Sequence, residues 1–208
     1  MNKNLIIAIT GASGALYARH LVLALMEHVP GKSQLIMSPA GLRVCNEEMG
    51  TSFQDPNEYL NWIQESCPED TQIRHSFSIE DYRDIGARAA SGSNHHDGMA
   101  VVPCSMKTLA SINHGITQNL IERAADVTLK ERRKLILVPR EAPYSLIHLR
   151  NMTSLTEAGA MVLPASPGFY QKPRTLDDLG RFIAGRVLSA LDIHVRLYSP
   201  WLEEQDLK

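Results

Sequence analysis

Five short apolar runs recur along the chain, and stretches with helical character follow most of them. The runs are Leu5–Ile9, Leu35–Met37, Met99–Val102, Leu135–Val138 and Ala160–Leu163. Each has about the length of a buried strand, and several are continuously aliphatic, as parallel strands covered on both faces are. Strands that alternate with helices predict an open, doubly wound α/β sheet that is mostly parallel.

Local signals place two helices. The segment Gly14–Val29 is rich in Leu and Ala and ends at Pro30-Gly31, which is a typical stop signal. Thr175-Leu176-Asp177-Asp178 predicts a capping box that opens a second helix. Helical spacing predicts the inner face of that helix, which we expect to consist of Leu176, Leu179, Ile183 and Val187. At 208 residues, one three-layer domain of Rossmann-like or flavodoxin-like type is expected over the whole chain.

Charge and cysteine content argue against several functional classes. The 21 Lys and Arg against 23 Asp and Glu give a net charge of -2, so overall charge does not favour binding to nucleic acid or to an anionic membrane. No apolar run approaches the ~20 residues that cross a bilayer. The 3 cysteines show no C-x-x-C spacing, which indicates neither a disulfide framework nor a zinc site. We therefore expect a cytoplasmic protein.

Ligands of an open parallel sheet bind beyond the carboxyl ends of its strands, so the segments after the apolar runs are the first places to search for chemistry. Thr10–Gly14 joins a strand to a helix, and free N–H groups at a helix start can hold a phosphate. The segment lacks the full G-x-G-x-x-G spacing of a dinucleotide site. A capping turn without a ligand would read the same way. After the second run, Ser38 fits a helix cap or a ligand contact, and Glu48 fits a surface carboxylate.

The later strand ends offer further groups for an anion. Pro103–Thr108 opens a helix with two hydroxyls and a lysine, while Cys104 within it fits a small buried thiol better than a nucleophile. Arg140 suits bidentate phosphate binding, and Glu141 fits either a proton-handling group or the partner of a surface pair. Pro164–Tyr170 is rigid, small and aromatic, which suits packing against a planar ligand, and a Pro-rich turn with a half-buried Tyr would have the same composition.

A local excess of positive charge lies between Arg123 and Arg140. Six basic residues, opposed by two acidic ones, give +4 in eighteen residues. A solvated helix face explains most such runs, so we expect only one or two of these side chains to touch a ligand. The Ser91–Gly98 stretch reads as a mobile loop with a solvated His95-His96 pair. Together these features predict an α/β protein that binds a phosphorylated, planar small molecule.

The strand-end segments, taken together, resemble the flavin prenyltransferase family (UbiX-like). The matching pieces run in order over nearly the whole chain. They are Thr10–Ala15, Ser38 with Glu48 ten residues later, Ala90–Ser93, Pro103–Leu109, Glu122–Val127 with Leu129–Arg133, Val138–Pro143 and Pro167–Tyr170. The run from Glu122 to Pro143 is the most specific of them.

The resemblance implies an enzyme that joins a dimethylallyl group, from dimethylallyl monophosphate, to reduced FMN at N5 and then at C6. The product, prenylated FMN, would serve a partner decarboxylase of the UbiD type, in ubiquinone biosynthesis or aromatic acid degradation. A homododecamer with sites shared between subunits is implied as well. No metal is needed in this scheme, and the chain has no D-D-x-x-D-type magnesium motif.

The resemblance also implies roles for individual residues. The flavin contacts would be Gly11, Ala12, Ser13, Ser38, Ser105, Met106, Lys107, Thr108, Arg123 and Arg140. The prenyl phosphate pocket, partly across a subunit interface, would comprise Ser91, Lys130, Arg140, Glu141, Tyr170 and Arg186. The catalytic set would be Ser13 and Glu48 as a proton-handling pair, Glu141, and Trp201 on a C-terminal tail, about residues 195–208, that closes over the site.

Two other functions share parts of this pattern. An FMN-dependent decarboxylase of the cysteine decarboxylase type has a P-A-S-A-N-T segment where this chain has Pro103–Thr108, and that departure weighs against it. A non-catalytic flavin carrier would not need the cluster of phosphate ligands, which consists of Lys130, Arg140, Glu141, Tyr170 and Arg186.

Overall fold

The computed structural model describes residues 2–68 and 70–198, which form a six-stranded parallel sheet between two layers of helices. The strands are β1 (Lys3–Ile9), β2 (Gly31–Met37), β3 (His75–Glu80), β4 (Gly98–Cys104), β5 (Lys134–Pro139) and β6 (Met161–Val162). The helices are α1 (Ala15–His28), α2 (Pro39–Met49), α3 (Pro56–Glu65), α4 (Met106–Asn113), α5 (Leu120–Lys130), α6 (Leu146–Glu157) and α7 (Leu176–Ala190).

The strand order is β3-β2-β1-β4-β5-β6, and every neighbouring pair is parallel. This is the Rossmann-type order, in which the chain reverses its winding direction between β1 and β4. The fold class predicted from the sequence is confirmed. A crevice therefore opens at the carboxyl ends of β1 and β4, where ligands of this architecture bind.

The sheet buries both of its faces. Leu5, Ile7 and Ile9 of β1 pack with α1, α2, α3 and α7, whereas Ile6 and Ala8 pack with α4, α5 and α6. All five side chains are fully buried. This double burial explains why the first apolar run is continuous rather than alternating.

Four of the five apolar runs lie within strands, and the fifth, Ala160–Leu163, contains the two-residue strand β6. The sequence analysis missed β3, because this edge strand reads His-Ser-Phe-Ser-Ile-Glu and only His75 in it is buried. The capping box at Thr175 is confirmed, with Asp178 N–H donating to the Thr175 hydroxyl at 3.2 Å. Leu176, however, is 71% exposed, so the predicted inner face was wrong at that position. As the first residue of α7, Leu176 precedes the turn that meets the core.

The segment between residues 91 and 98 is a loop, as predicted, but hydrogen bonds near the amino ends of the strands fix its position. Arg133 donates to the carbonyls of Gly92 and Asn94, both at 2.8 Å. His95 is exposed, whereas His96 is only 1% exposed, so the expectation of a solvated pair was wrong for His96. Its ring lies under α5, where Nε2 is 3.5 Å from the Thr128 hydroxyl.

Within the described ranges, no helix has the length and apolar character needed to cross a membrane.

Candidate functional site at the carboxyl edge of the sheet

Thr10 joins the two walls of the crevice. Its hydroxyl donates to the carbonyl of Pro103 at 2.8 Å and accepts from the backbone N–H of Ser105 at 2.8 Å. The chain after β1 turns toward α1 on one face, and the chain after β4 turns toward α4 on the other. These hydrogen bonds fix the spacing of the two turns, which supply most of the predicted flavin contacts.

Glu48 lies at the start of α1, although it belongs to α2. Its carboxylate accepts from Gly14 N–H at 2.9 and 3.1 Å and from Ala15 N–H at 2.8 Å. A negative charge is favourable there because the helix dipole and unpaired N–H groups concentrate positive charge at a helix start. The sequence suggested this turn as a phosphate site. In the structure, the Glu48 carboxylate takes the N–H groups that a phosphate would use.

Arg140 reaches the same turn from the end of β5. Its Nε donates to the carbonyl of Ser13 at 3.2 Å. The structure thus brings together Ser13, Glu48 and Arg140, three residues that are far apart in the sequence and that the sequence analysis placed in the site.

Tyr17 covers the turn, and sequence reasoning did not select it. A Cβ added at Gly14 would lie 2.7 Å from the Tyr17 ring, and Gly14 has a φ of 116°, so glycine meets both requirements at this position. Burial raises the pKa of Tyr17, the Arg140 charge lowers it, and the Glu48 charge raises it. The hydroxyl therefore stays protonated at neutral pH, between a cation and an anion of the site.

The starts of α2 and α4 complete the crevice. Ser38 accepts from Gly41 N–H at 3.0 Å, and Ser105 accepts from Thr108 N–H at 3.3 Å, so both serines are helix caps as well as candidate ligand contacts. A Cβ at Gly11 would lie 2.6 Å from Ala40 Cβ, which shows how closely the turn after β1 approaches α2. Gly11 and Ala40 thus allow this turn to pack directly against the start of α2.

Lys107, in the first turn of α4, pairs with Glu122, in the first turn of α5. The Glu122 side chain is fully buried, whereas Lys107 is 65% exposed. Glu122 begins the most specific of the family-like runs, but the sequence predicts no role for it. The Asn119-x-x-Glu122 spacing is a helix-start signal that could have located it, because Asn119 accepts from Glu122 N–H at 3.1 Å.

Cys104 is buried beneath the α4 turn. Burial raises the pKa of its thiol to about 12. A thiol with this pKa is almost entirely protonated at neutral pH and is a poor nucleophile. The interpretation of Cys104 as a small buried thiol is confirmed.

Two predicted prenyl phosphate residues, Ser91 and Lys130, lie at the amino ends of the strands, opposite the crevice. A Cβ at Gly92 would lie 2.9 Å from the Lys130 ammonium, so the loop after Ser91 rests on the end of α5. Lys130 also contacts Glu131. The length of β5 separates this edge from Arg140 by about 16 Å, at ~3.3 Å per residue.

The remaining candidates lie at α7, next to Arg140 and on α5. Tyr170 packs edge-on against Phe182 of α7, with ring centroids 6.1 Å apart, and Arg186 lies one turn further along α7. Glu141 is exposed, and Arg123 pairs with Asp126 at 2.9 Å. Within the described residues of one chain, Ser91 and Lys130 are therefore not brought together with Arg140. Trp201 and most of the predicted tail lie outside the described residues.

Most of the basic residues between Arg123 and Arg140 have protein partners in the structure. Lys134 contacts Asp192, and Arg133 binds the 91–98 loop. The Arg140 guanidinium is the member of this run that reaches the crevice. In the part of the chain that the structure describes, no three His, Cys, Asp or Glu side chains cluster as metal ligands would.

Comparisons with known proteins match nearly the whole chain, including the residues of this site. A family model described as Flavoprotein matches residues 1–188. The flavin prenyltransferase UbiX of Halalkalibacterium halodurans is 42% identical over 96% of this chain and 94% of the relative.

Solved structures give a matching result. The crystal structure of AnUbiX (PadA1) in complex with FMN and dimethylallyl pyrophosphate superposes with a TM-score of 0.82 and 37% identity, covering 97% of this chain and 98% of that one. A dodecameric FMN-dependent UbiX-like decarboxylase from Escherichia coli O157:H7 gives a TM-score of 0.81 and 37% identity, over 95% and 98% of the two chains. The peptidyl-cysteine decarboxylase EpiD, at 18% identity and a TM-score of 0.53 over 81% and 83%, shares the fold alone.

Proposed function

This chain belongs to the flavin prenyltransferase family, and from that membership we propose that it transfers a dimethylallyl group from dimethylallyl monophosphate to reduced FMN. The bonds form at N5 and then at C6 of the flavin, giving prenylated FMN. The observation that supports this most strongly is the likeness, over 97% of the chain, to a relative solved with both FMN and a dimethylallyl donor.

The residues at the crevice fit FMN. Gly11 lets the turn after β1 pack against Ala40 of α2, and the small Ala12 in the same turn would border the flat ring system. Ser38, Ser105 and the Lys107 ammonium provide polar contacts around it. Because Glu48 already takes the N–H groups at the start of α1, the flavin phosphate would lie at the start of α4, where Met106 N–H and Lys107 N–H have no acceptor among the described residues.

Reduced FMN supplies the nucleophilic nitrogen and carbon that the prenyl group joins. The chain's part begins with the leaving group, since breaking the allylic C–O bond leaves negative charge on phosphate. Arg140, Lys130, Tyr170 and Arg186 would donate hydrogen bonds to that charge, which is the usual way that preorganised donors lower such a barrier.

Proton handling falls to Ser13 and Glu48. The second bond requires a proton on the alkene of the N5-linked prenyl group, so that its tertiary carbon can be attacked by C6, and C6 then loses its own ring proton. Ser13, Glu48 or the released phosphate would supply the first proton and accept the second. The hydrogen bonds from Gly14 and Ala15 hold the Glu48 carboxylate at the mouth of the crevice, within the turn that carries Ser13. Arg140 fixes the same turn through the Ser13 carbonyl. The proton acceptor and the phosphate ligand are thus kept in a defined relation before the reaction.

A second copy of the chain would complete the prenyl phosphate pocket. Ser91 and Lys130 lie at the amino ends of the strands, and Arg140 lies at the carboxyl ends. One copy's Lys130 would therefore meet another copy's Arg140. A dodecamer, the state named for the Escherichia coli relative, would supply such contacts. Trp201, on the C-terminal tail, would cover the prenyl group.

The product would pass to a UbiD-type decarboxylase in the cytoplasm, for ubiquinone biosynthesis or aromatic acid degradation. The two other candidate functions have less support. A cysteine decarboxylase-like enzyme shares the fold, but this chain lacks its P-A-S-A-N-T segment at Pro103–Thr108. A non-catalytic flavin carrier would not explain the basic and aromatic groups at Lys130, Arg140 and Tyr170.

One anaerobic incubation tests the proposal. The purified chain is mixed with reduced FMN and dimethylallyl monophosphate, with dimethylallyl pyrophosphate in a parallel reaction, and the flavin is analysed by mass spectrometry. We expect the flavin mass to increase by one prenyl unit with the monophosphate. Unchanged flavin in both reactions, from folded protein that binds FMN, would contradict the proposed transfer and favour the carrier.

A further inference from the structure

Glu122 is a buried carboxylate at the carboxyl edge of the sheet. Its side chain is fully buried in the first turn of α5. Carboxylates are rarely buried unless they are paired, so a specific set of contacts must hold the charge in place.

Both carboxylate oxygens of Glu122 have donors. Oε1 accepts from the Lys107 ammonium, and Oε2 accepts from Gln118 N–H at 3.0 Å. The start of α5 adds a favourable helix dipole. Burial by itself raises the pKa of Glu122, but the hydrogen bonds from Lys107, Asn119 and Gln118 lower it overall, so the group stays ionised at neutral pH.

Lys107 is the exposed member of the pair, and it belongs to the segment that lines the crevice. A free lysine side chain samples many rotamers, and a ligand that uses it must restrict them. Here the fixed, buried anion restricts them in advance. Because an ammonium has three N–H groups and Glu122 takes one of them, the others remain for a ligand.

Tyr82 lies beside the start of α5, the helix that carries Glu122. Its carbonyl accepts from Leu120 N–H at 2.9 Å, which ties the chain after β3 to the start of α5. Burial raises the pKa of Tyr82, the Lys107 charge lowers it, and the Glu122 charge raises it. Glu122 is thus the enclosed member of the pair, and the Lys107 ammonium, on a side chain that is 65% exposed, is the accessible one.

We propose that Glu122 is a positioning residue of the flavin site, because its buried carboxylate holds the Lys107 ammonium at the start of α4 as a preordered donor to an anionic oxygen of FMN. The inference rests on the proposed function, since it requires FMN to bind beside Lys107. It gives Glu122 a role that differs from that of the exposed pairs Arg43–Glu47 and Arg123–Asp126, in which neither partner is buried.

A double-mutant cycle on the full-length chain tests this role. The Kd for FMN, measured by quenching of flavin fluorescence, is compared among wild type, Glu122→Gln, Lys107→Met and the double variant. We expect each single variant to raise the Kd about tenfold. The Kd of the double variant should not exceed the higher of the two single-variant values, because both changes remove the same interaction. The proposal would be overturned if the losses of FMN affinity in the two single variants add up in the double variant, or if Glu122→Gln leaves the Kd unchanged.

A matched control is Asp192→Asn. Asp192 contacts Lys134 at the opposite edge of the sheet, and asparagine tolerates its φ of 56°. This variant is expected to bind FMN as wild type does, so a general loss on removing any lysine–carboxylate pair would count against a specific role of Glu122.

Glu122→Asp covers the case in which Glu122→Gln does not fold. It keeps the buried charge but withdraws it from Lys107 by one methylene, and we expect at least a threefold increase in the Kd; an unchanged value would overturn the proposal. Failure of wild type to bind FMN would instead contradict the proposed function itself. If wild type binds FMN and forms product while Lys107→Met keeps the wild-type Kd, only the inference about Glu122 fails.

Discussion

Glu48 and Arg140 bind opposite sides of one peptide group. Glu48 accepts from the Gly14 N–H at 2.9 Å, and Arg140 donates to the Ser13 carbonyl at 3.2 Å, so the Ser13–Gly14 peptide lies between them. The two side chains come from α2 and from the end of β5. A displacement of either one changes the orientation of this peptide, and with it the position of Ser13.

The first prediction concerns Glu48→Gln. The amide can still accept from a backbone N–H at the start of α1, so we expect FMN binding to persist. It cannot act as a base, so formation of the fully cyclised product should slow about 100-fold, within the usual range for loss of a general base. Product formation would be followed by absorbance and mass spectrometry in anaerobic time courses.

Glu47→Gln is the matched control for this variant, since Glu47 is the adjacent carboxylate and pairs with Arg43 on the surface at 2.8 Å. It should react at the wild-type rate. Wild-type rates in Glu48→Gln would remove Glu48 from the mechanism.

The second prediction follows from the separation of Lys130 and Arg140. Lys130→Ala and Arg140→Ala should each lower turnover roughly 100-fold, because each removes a donor to the leaving phosphate. Mixed oligomers of the two variants should recover about one quarter of wild-type activity, since each of two copies supplies its intact residue half of the time.

Lys130→Ala mixed with Ser91→Ala is the control for this experiment. Both residues lie at the same edge of one chain, so no site in that mixture would be intact. Mixed oligomers of the first pair that stay inactive would show that Lys130 and Arg140 do not act across an interface.

The third prediction concerns His96 and pH. Burial and the nearby Arg133 charge lower the pKa of His96 to about 4, from an ordinary value of 6.5. Between these values the unfolded chain binds a proton that the native protein does not, so the free energy of unfolding falls as the pH falls. His96 alone should contribute about 2 kcal/mol to the loss between pH 7 and pH 5.

Urea unfolding at the two pH values measures this loss, and His96→Gln should reduce it. His95→Gln, a change at the exposed neighbour, should leave it as in wild type. An equal pH dependence in all three proteins would show that His96 is not the group responsible.

The fourth prediction concerns the three thiols. Burial raises the pKa of Cys45 and of Cys104 to about 12, and it raises the pKa of Cys67 as well, although Cys67 is only half-buried. At pH 8, a maleimide should label the native protein slowly and at Cys67 alone, and Cys67→Ser should abolish labelling. Mass spectrometry identifies the labelled residue, and denaturant should expose all three thiols. Rapid labelling of Cys104 in the native protein would reopen its interpretation as a nucleophile.

Much of the fold could be predicted because its signals are local. Continuous apolar runs mark strands that are buried on both faces, and the capping residues of α7 mark its start. The edge strand β3 has one neighbouring strand and half-exposed side chains, so its composition resembles that of a loop. The burial of His96 depends on the placement of the 91–98 loop under α5, which no local pattern encodes.

The site was predictable to a similar extent. Residues at strand ends could be selected because the topology collects them at one edge. The contact of Glu48 with the start of α1, and that of Glu122 with Lys107, join elements that are 34 and 15 residues apart. Such pairings arise from packing between helices, and neither spacing nor composition reveals them.

The length of β5 has one further consequence. If the prenyl phosphate pocket requires groups from both edges of the sheet, the strand acts as a spacer that keeps a chain from ever closing the pocket on itself. Activity would then depend on protein concentration, falling on dilution below the assembly threshold even while every subunit stays folded and keeps its flavin.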